Sequence, residues 1–317
     1  MALPALATAV IMLGVGLRMK SRRAVAPRRD KPTTPLREPM RGAHAGVQLS
    51  LGTIRDAAKS FPWKTSTGAD LHPRSYALAS DTALGWLSMC YAMSEYLHEI
   101  PPQVALTIFF TRPKPAGGRR IVANLPTLYR VYTRARISYV RCWDSSLDAP
   151  FFYGGEGMSS VDAVYDAAIE DTFAASNGCV TIAAIADIQK CFEKVDHQLL
   201  LAKAAVSNFP LRILGVSIAM YQCMRCVQVG PATAGCVVSN CGVAAGCTLA
   251  CFIIRAFLYP DMKALLREHL VWSATFAYML SIYVDDLMLC TRLDLSLIHI
   301  SEPTRPRLIS YAVFCLK

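Results

Sequence analysis

Charge is scarce in this sequence. Asp, Glu, Lys and Arg make up 18% of its 317 residues, against 53% hydrophobic. That excludes a disordered, self-repelling chain and leaves enough apolar material for a sizeable core. The little charge present is unevenly placed. Residues 1–42 carry +7 and residues 295–317 carry +2 of the total +10, so residues 43–294 hold only +1. A basic balance therefore says little about what a groove in the globular middle would bind. Cysteine, at 12 residues, is too sparse for a small disulfide-stapled scaffold. Cys179, Cys247, Cys251 and Cys290 sit in apolar runs where free thiols are common, and a reducing compartment is expected. There is no internal repeat and no low-complexity tract, which excludes a repeat array. Met1–Leu17 is uncharged and largely apolar, but it is at the short limit for a membrane span, and its basic residues follow it, the reverse of a secretory signal. An uncleaved anchor and a non-native start both remain open for it.

The two ends differ from the middle. Arg18–Arg41 holds Pro27, Pro32, Pro35 and Pro39 and reads as a flexible basic arm, either solvated or directed at phosphates or an import receptor. Leu295–Arg305 resembles the in-frame translation of a transposase-based sequencing adaptor, and Ile309–Lys317 the flow-cell primer that follows it. Residues 295–317 are set aside from the biology on that ground, and the natural chain is expected to be cut near Asp294.

In between, residues 43–70 read as irregular. Ser80 and Asp81 cap a helix running to Leu97, before Pro101 and Pro102. Val104–Phe110, the turn Lys114–Gly118 and a run from Ile121 predict strand, loop and strand. Thr127–Tyr139 has helical spacing, and Ser160–Ala174 reads as an amphipathic helix.

Val180–Ala186 is an unbroken apolar run that ends in Asp187. A carboxylate at the end of a buried strand must be solvated, paired or metal-bound; alternatively Asp187 caps a helix starting near Ile188. Further on, Ser281–Val284 and Leu287–Cys290 are separated only by Asp285 and Asp286, which predicts a tight hairpin. Adjacent like charges at the tip of an apolar hairpin repel, and hard divalent cations such as Mg²⁺ relieve that repulsion.

Tyr283-Val-Asp-Asp286 resembles the Tyr-x-Asp-Asp box of reverse transcriptases, and Asp187-Ile-Gln-Lys-Cys-Phe192 with Val195-Asp-His197 resembles their first catalytic motif. The likeness is nearest to non-LTR retrotransposon and group II intron-like enzymes and runs from about His72 to Leu289. It implies an α+β fold, the fingers and palm of a right-hand polymerase truncated before the thumb, with helices and fingers over 43–175 and palm over 176–294. Arg225–Val229, Ser239 and Gly242–Leu249 are similar to the strand pair and template-gripping loop of the family. Ala245 stands where the family usually has Gln, and Ala250 where Ser is common, which bears on efficiency or fidelity. Gly246 would allow close approach to nucleotide or template. Pro113–Pro115 and Arg119–Leu125 resemble the fingers motifs, so the resemblance assigns Arg119, helped by Lys114, to the incoming triphosphate. Cys223, Cys226, Cys236 and Cys241 leave a zinc site as a weaker alternative to alternating strand positions.

The mechanism implied is two-metal nucleotidyl transfer, with Asp187 and Asp285 bridging two Mg²⁺ ions (Mn²⁺ as the substitute) and Asp286 assisting. The implied partners are an RNA template, a DNA primer and dNTPs, inside the cell in nucleus or cytoplasm. RNA-dependent RNA polymerases share the palm and the paired aspartates. Phe192 separates the two, because its ring cannot accept a hydrogen bond from a ribose 2′-hydroxyl and would crowd it. A membrane-anchored, non-catalytic binding protein is the other alternative, and it leaves the Tyr-Val-Asp-Asp hairpin unexplained. Cut near Asp294, the 317-residue chain is itself expected to show negligible primer extension.

Overall fold

The computed structural model describes residues 48–68, 70–113, 115, 117–155, 157–230, 232–270, 278–284 and 286–294. The apolar start and basic arm over 1–42, Lys114, Asp285 and the terminal stretch 295–317 lie outside the described residues.

The architecture is α+β, as expected. The first departure from the sequence reading comes early: Leu51–Lys59 is a helix, α1, inside the stretch read as irregular. The Ser50 hydroxyl accepts from the Thr53 amide at 3.1 Å and caps it, while Ile54, Ala57 and Ala58, at helical spacing, are buried. Pro73–Ala77 (α2) and Asp81–Leu97 (α3, capped by Ser80) follow. A 3-10 turn over Pro102–Val104 takes the start of the expected strand, so β1 runs Leu106–Pro113 and β2 Arg119–Asn124.

The helix expected to end at Tyr139 continues, α4 spanning Thr127–Ser146. Its first turn lacks a local side-chain cap, and a distant carboxylate supplies one. Asp70 accepts from the Thr127 and Leu128 amides, both at 2.7 Å, which satisfies two orphan donors and places negative charge at the positive end of the helix dipole. Inside the fold, Arg136 of α4 donates through Nε to Glu95 Oε1 at 2.7 Å and through a terminal nitrogen to Oε2 at 3.0 Å, and Tyr132 donates to the same carboxylate at 2.9 Å.

Ser160–Ser176 forms α5, started by a capping box between Ser159 and Asp162. It does not dock by an apolar stripe as the sequence reading expected. Val161, Val164, Tyr165, Ile169 and Phe173 are exposed. The polar residues make the attachments instead: Asp166 accepts from the Tyr153 hydroxyl at 2.7 Å, Glu170 pairs with Arg292, and Asp171 accepts from the Thr181 hydroxyl.

β3 covers Cys179–Asp187, then come α6 (His197–Val206), α7 (Leu211–Tyr221), β4 (Met224–Val229), β5 (Ala232–Thr233), α8 (Ala250–Leu270), β6 (Tyr278–Tyr283) and β7 (Asp286–Asp294). Two sheets result. One has the order β2-β1-β4-β5, with β1 antiparallel to β2 and parallel to β4. The other has the order β3-β7-β6 and is antiparallel throughout. The first sheet joins β1 and β2 to β4 and β5, which come from well beyond residue 176. Helix α7 lies at the centre of the core, with Leu214, Met220 and Tyr221 almost fully buried alongside Tyr129, Leu200 and Ile253.

Cys226 and Cys236 are joined as a disulfide, which removes two sulfurs from the alternative zinc set; Cys179, Cys247 and Cys290 are free thiols. Among the described residues no helix is long and apolar enough to cross a membrane.

The buried triad of Glu95, Arg136 and Tyr132 gives a stability test. Glu95→Ala removes the carboxylate shared by the buried Arg136 guanidinium and the Tyr132 hydroxyl and is expected to lower unfolding free energy by roughly 3–5 kcal/mol, whereas Glu95→Leu with Arg136→Met and Tyr132→Phe, which removes all three polar groups together, should be near neutral. Urea denaturation of both variants checks this.

Candidate active site

Register decides what the second sheet can present. In the β3–β7 pairing Asp187 lies directly opposite Asp286, and in the β6–β7 pairing Asp286 lies opposite Tyr283. Residues directly opposite in an antiparallel ladder put their side chains on the same face, with Cβ atoms about 5 Å apart. Tyr283, Asp286 and Asp187 therefore form one rung across three strands, all three exposed. The opposite face is the packed one. Leu280, Ile282, Leu287 and Leu289 are buried there, with Ala186 against the core.

Two expectations change in detail. The strand ending in Asp187 is not buried on both faces: Ile185 is 49% exposed, and Asp187 opens to solvent on the same side. Asp187 also caps no helix. Residues 189–194 are turns, and the next helix begins at His197, capped by Asp196, whose carboxylate accepts from the Leu199 amide at 2.8 Å. The hairpin is present but shifted by one residue. Asp286 already pairs with Tyr283 inside the ladder, and Val284 lies in the turn. Val284 has φ +59°, a left-handed backbone that a β-branched residue adopts only under strain.

Asp187 and Asp286 make no ion pair among the described residues, although their register brings like charges together. Two unneutralised carboxylates on one rung, with a third at the next position, suit a hard divalent cation. Among the described residues no group of three His, Cys, Asp or Glu is gathered, the third carboxylate, Asp285, lying outside them.

The remaining candidates occupy two neighbouring segments. Arg119 opens β2 opposite Pro113, beside the 114–118 turn. Phe192 is half-buried against the core, and its carbonyl accepts from the Val243 amide at 2.7 Å. The Gly242 amide donates to Val195 at 2.7 Å, so the 242–246 loop is stitched to the segment after Asp187. On its other side the Ala245 carbonyl accepts from the Ala123 amide of β2 at 3.0 Å. Gly246 has φ +110°, and a Cβ there would stand 2.8 Å from the Ala123 carbonyl oxygen. The close approach that requires glycine at 246 is thus to strand β2. Cys247 anchors the end of the loop: its sulfur lies 3.3 Å from the Tyr129 hydroxyl, and burial pushes the thiol up.

His197 holds the loop from below. Its Nε2 donates to the Gly242 carbonyl at 2.9 Å and Nδ1 accepts from the Gln222 amide at 3.3 Å, the bonding of a neutral ring. Burial first, and then Arg225, lower its pKa, against opposing pulls from the Gly242 carbonyl and Asp196.

Sequence reasoning missed what lies behind the hairpin. The Ile282 amide donates to Phe151 and the Tyr153 amide donates to Ile282, both at 2.8 Å, so residues 151–153 lie along the open edge of β6. The Gly154-Gly155 pair and the lone Arg255 in an otherwise apolar stretch of α8 were the available signals.

The profile of the reverse transcriptase (RNA-dependent DNA polymerase) family matches residues 112–312. The match thus extends past Asp294 into the stretch set aside for its likeness to an adaptor. No curated protein matches the chain. Among solved structures, apo telomerase from Candida tropicalis, truncated from its C-terminal domain, is similar with a TM-score of 0.43 and 16% identity over 77% of this chain and 55% of that chain. The chain therefore spans about half the length of that structure.

Two outcomes are expected. Gly246→Ala must move the Ala123 backbone and adopt a strained φ, at a cost of about 1–3 kcal/mol, while Gly235→Ala, with open space around it, should leave the melting temperature unchanged. The second concerns acid. Because the folded pKa of His197 is depressed below 6.5, the unfolded chain takes up a proton there before the native one does. Stability is then constant from this group above pH 6.5 and falls as pH drops below it. Denaturation midpoints measured from pH 8 down to about pH 5 should fall less steeply in His197→Gln.

Proposed function

Because the chain belongs to the reverse transcriptase (RNA-dependent DNA polymerase) family, whose profile covers more than half of it, we propose that it is the fingers and palm of a retroelement polymerase. The proposed reaction adds dNTPs to the 3′-hydroxyl of a DNA primer on an RNA template, in nucleus or cytoplasm. Enzymes of this family generally use divalent metal ions and bind a template and primer. The observation that carries the reading for this chain is the rung of Tyr283, Asp286 and Asp187 on the open face of the β3-β7-β6 sheet.

In this reading Asp187 and Asp285 hold Mg²⁺, with Asp286 adding to the negative cluster. Bound there, the ions supply activation of the primer hydroxyl and neutralisation of the departing pyrophosphate. The chain's own part is positioning. Arg119, with Lys114, grips the triphosphate; Arg119 opens β2, and the 242–246 loop ties β2 to the segment carrying Phe192. Phe192 excludes the ribose 2′-hydroxyl and so selects deoxynucleotides. Residues 43–175 act as helices and fingers and 176–294 as palm.

Primer extension by the full-length protein, with Mg²⁺, dNTPs and an RNA template, tests this. Asp187→Ala and Asp285→Ala should each lower the rate by about a thousandfold or more, equivalent to roughly 4 kcal/mol of transition-state stabilisation. Undiminished extension after Asp285→Ala would show the mechanism to be wrong. Phe192→Ala should admit ribonucleotides; a wild-type protein that already prefers them would identify an RNA polymerase instead.

A further inference from the structure

The catalytic hairpin is an edge structure. In the order β3-β7-β6, β6 has β7 on one side only. Its free edge is closed by Phe151–Tyr153, through the Phe152 bridge to Ile282 and the two 2.8 Å backbone bonds. The next residue in that strap reaches the turn itself. A Cβ on Gly154 would lie 3.4 Å from Val284 Cγ2 and 3.5 Å from the Val284 amide nitrogen. Val284, held at φ +59°, immediately precedes Asp285 and Asp286.

The strap is in turn held from behind by a single cation. A Cβ on Gly155 would meet both terminal nitrogens of Arg255 at 2.7 Å and the carbon between them only at 3.1 Å, so the guanidinium abuts that glycine with its terminal edge. The same group stands 5.3 Å from the centre of the Phe152 ring and forms an ion pair with Asp144 in the last turn of α4. Both side chains are buried, at 9% and 6% exposure. A guanidinium suits the place, because its forked edge sets two nitrogens against Gly155 while one of them stays paired with Asp144; an ammonium cannot do both.

We propose that Arg255 is a positioning residue for the metal-binding turn. Fixed by Asp144, it presses the Phe152–Gly155 strap onto β6, and the strap sets the backbone of Val284 and so the carboxylates that follow. The proposal rests on the reading of Asp285 and Asp286 as part of the active site.

Amide hydrogen exchange on the 317-residue chain reads the strap without needing activity. In Arg255→Lys, which keeps the charge beside Asp144, the Ile282 and Tyr153 amides are expected to exchange about tenfold faster, while those of α7 stay as slow as in the parent. Unchanged exchange at Ile282 and Tyr153, or acceleration spread equally over α7, would overturn the proposal. Should Arg255→Lys fail to fold, Gly155→Ala puts a methyl against the guanidinium without removing any charge and should give the same local pattern. In the full-length protein Arg255→Lys should lower kcat roughly 10–100-fold, as second-layer changes at metal sites do, with the dNTP KM little altered. Wild-type kcat in Arg255→Lys beside an inactive Asp285→Ala would sink this proposal alone. An active Asp285→Ala would sink the active-site reading beneath it, whatever the exchange data show.

Discussion

The pairing of Asp187 with Asp286 is the constraint on which the rest of the site depends. A strand has a side-chain period of two, so sliding β7 by one residue would turn Asp286 inward and put Leu287 on the open face. The register is held by the other face. Leu287 and Leu289 of β7 are buried beside Leu280 and Ile282 of β6, and such a slip would expose the two β7 leucines while burying Asp286. The repulsion across the rung is therefore carried by apolar packing on the far side of the same three strands. A sheet built this way can present unneutralised charge at its end and still have one register.

The same logic explains the strained turn. With Asp286 committed to the ladder, only Val284 and Asp285 remain to reverse the chain, and a two-residue reversal favours positive φ. Asn-Gly would make that turn easily. Here the second position is the carboxylate expected to bind metal, and the first is a valine seated over Gly154. Strain at such a turn persists when the surroundings over-determine it, and the strap from Phe151 to Gly155 is that surrounding.

How much of this was legible follows from range. Local patterns were readable: an apolar run closed by Asp187, two β-forming runs around Asp285 and Asp286, and Ser80 ahead of a helix. α1 was legible too, in Ser50 and the spacing of Ile54, Ala57 and Ala58, and was overlooked because the surrounding residues are mixed. The run Val180–Ala186 was misread as buried on both faces because three of its residues are alanines, whose small side chains carry no alternation to show which face is open. Local pattern does not say which distant residues will meet. Asp70 caps a helix 57 residues away, β4 pairs in parallel with a strand more than a hundred residues earlier, and Arg255 reaches Asp144 across 111 residues. The paired cysteines 226 and 236 are close in sequence, but nothing in their spacing separates a disulfide from strand neighbours or zinc ligands.

The 242–246 loop shows why a departure from a family pattern need not disturb an architecture. Ala245 replaces the glutamine common in the family, yet what it contributes to the fold is a carbonyl that accepts from Ala123, and any residue supplies that. Its side chain is exposed, so the exchange removes reach toward whatever lies above the loop and leaves the loop's course alone. Gly246 is the opposite case. Its φ of +110° and the 2.8 Å approach to the Ala123 carbonyl make it a requirement of how the loop meets β2. Two adjacent positions thus answer to different pressures: 246 to the joint with β2, from which the exposed side chain of 245 is free. Residue 245 can therefore change while the joint, and with it the tie between β2 and the segment carrying Phe192, is kept.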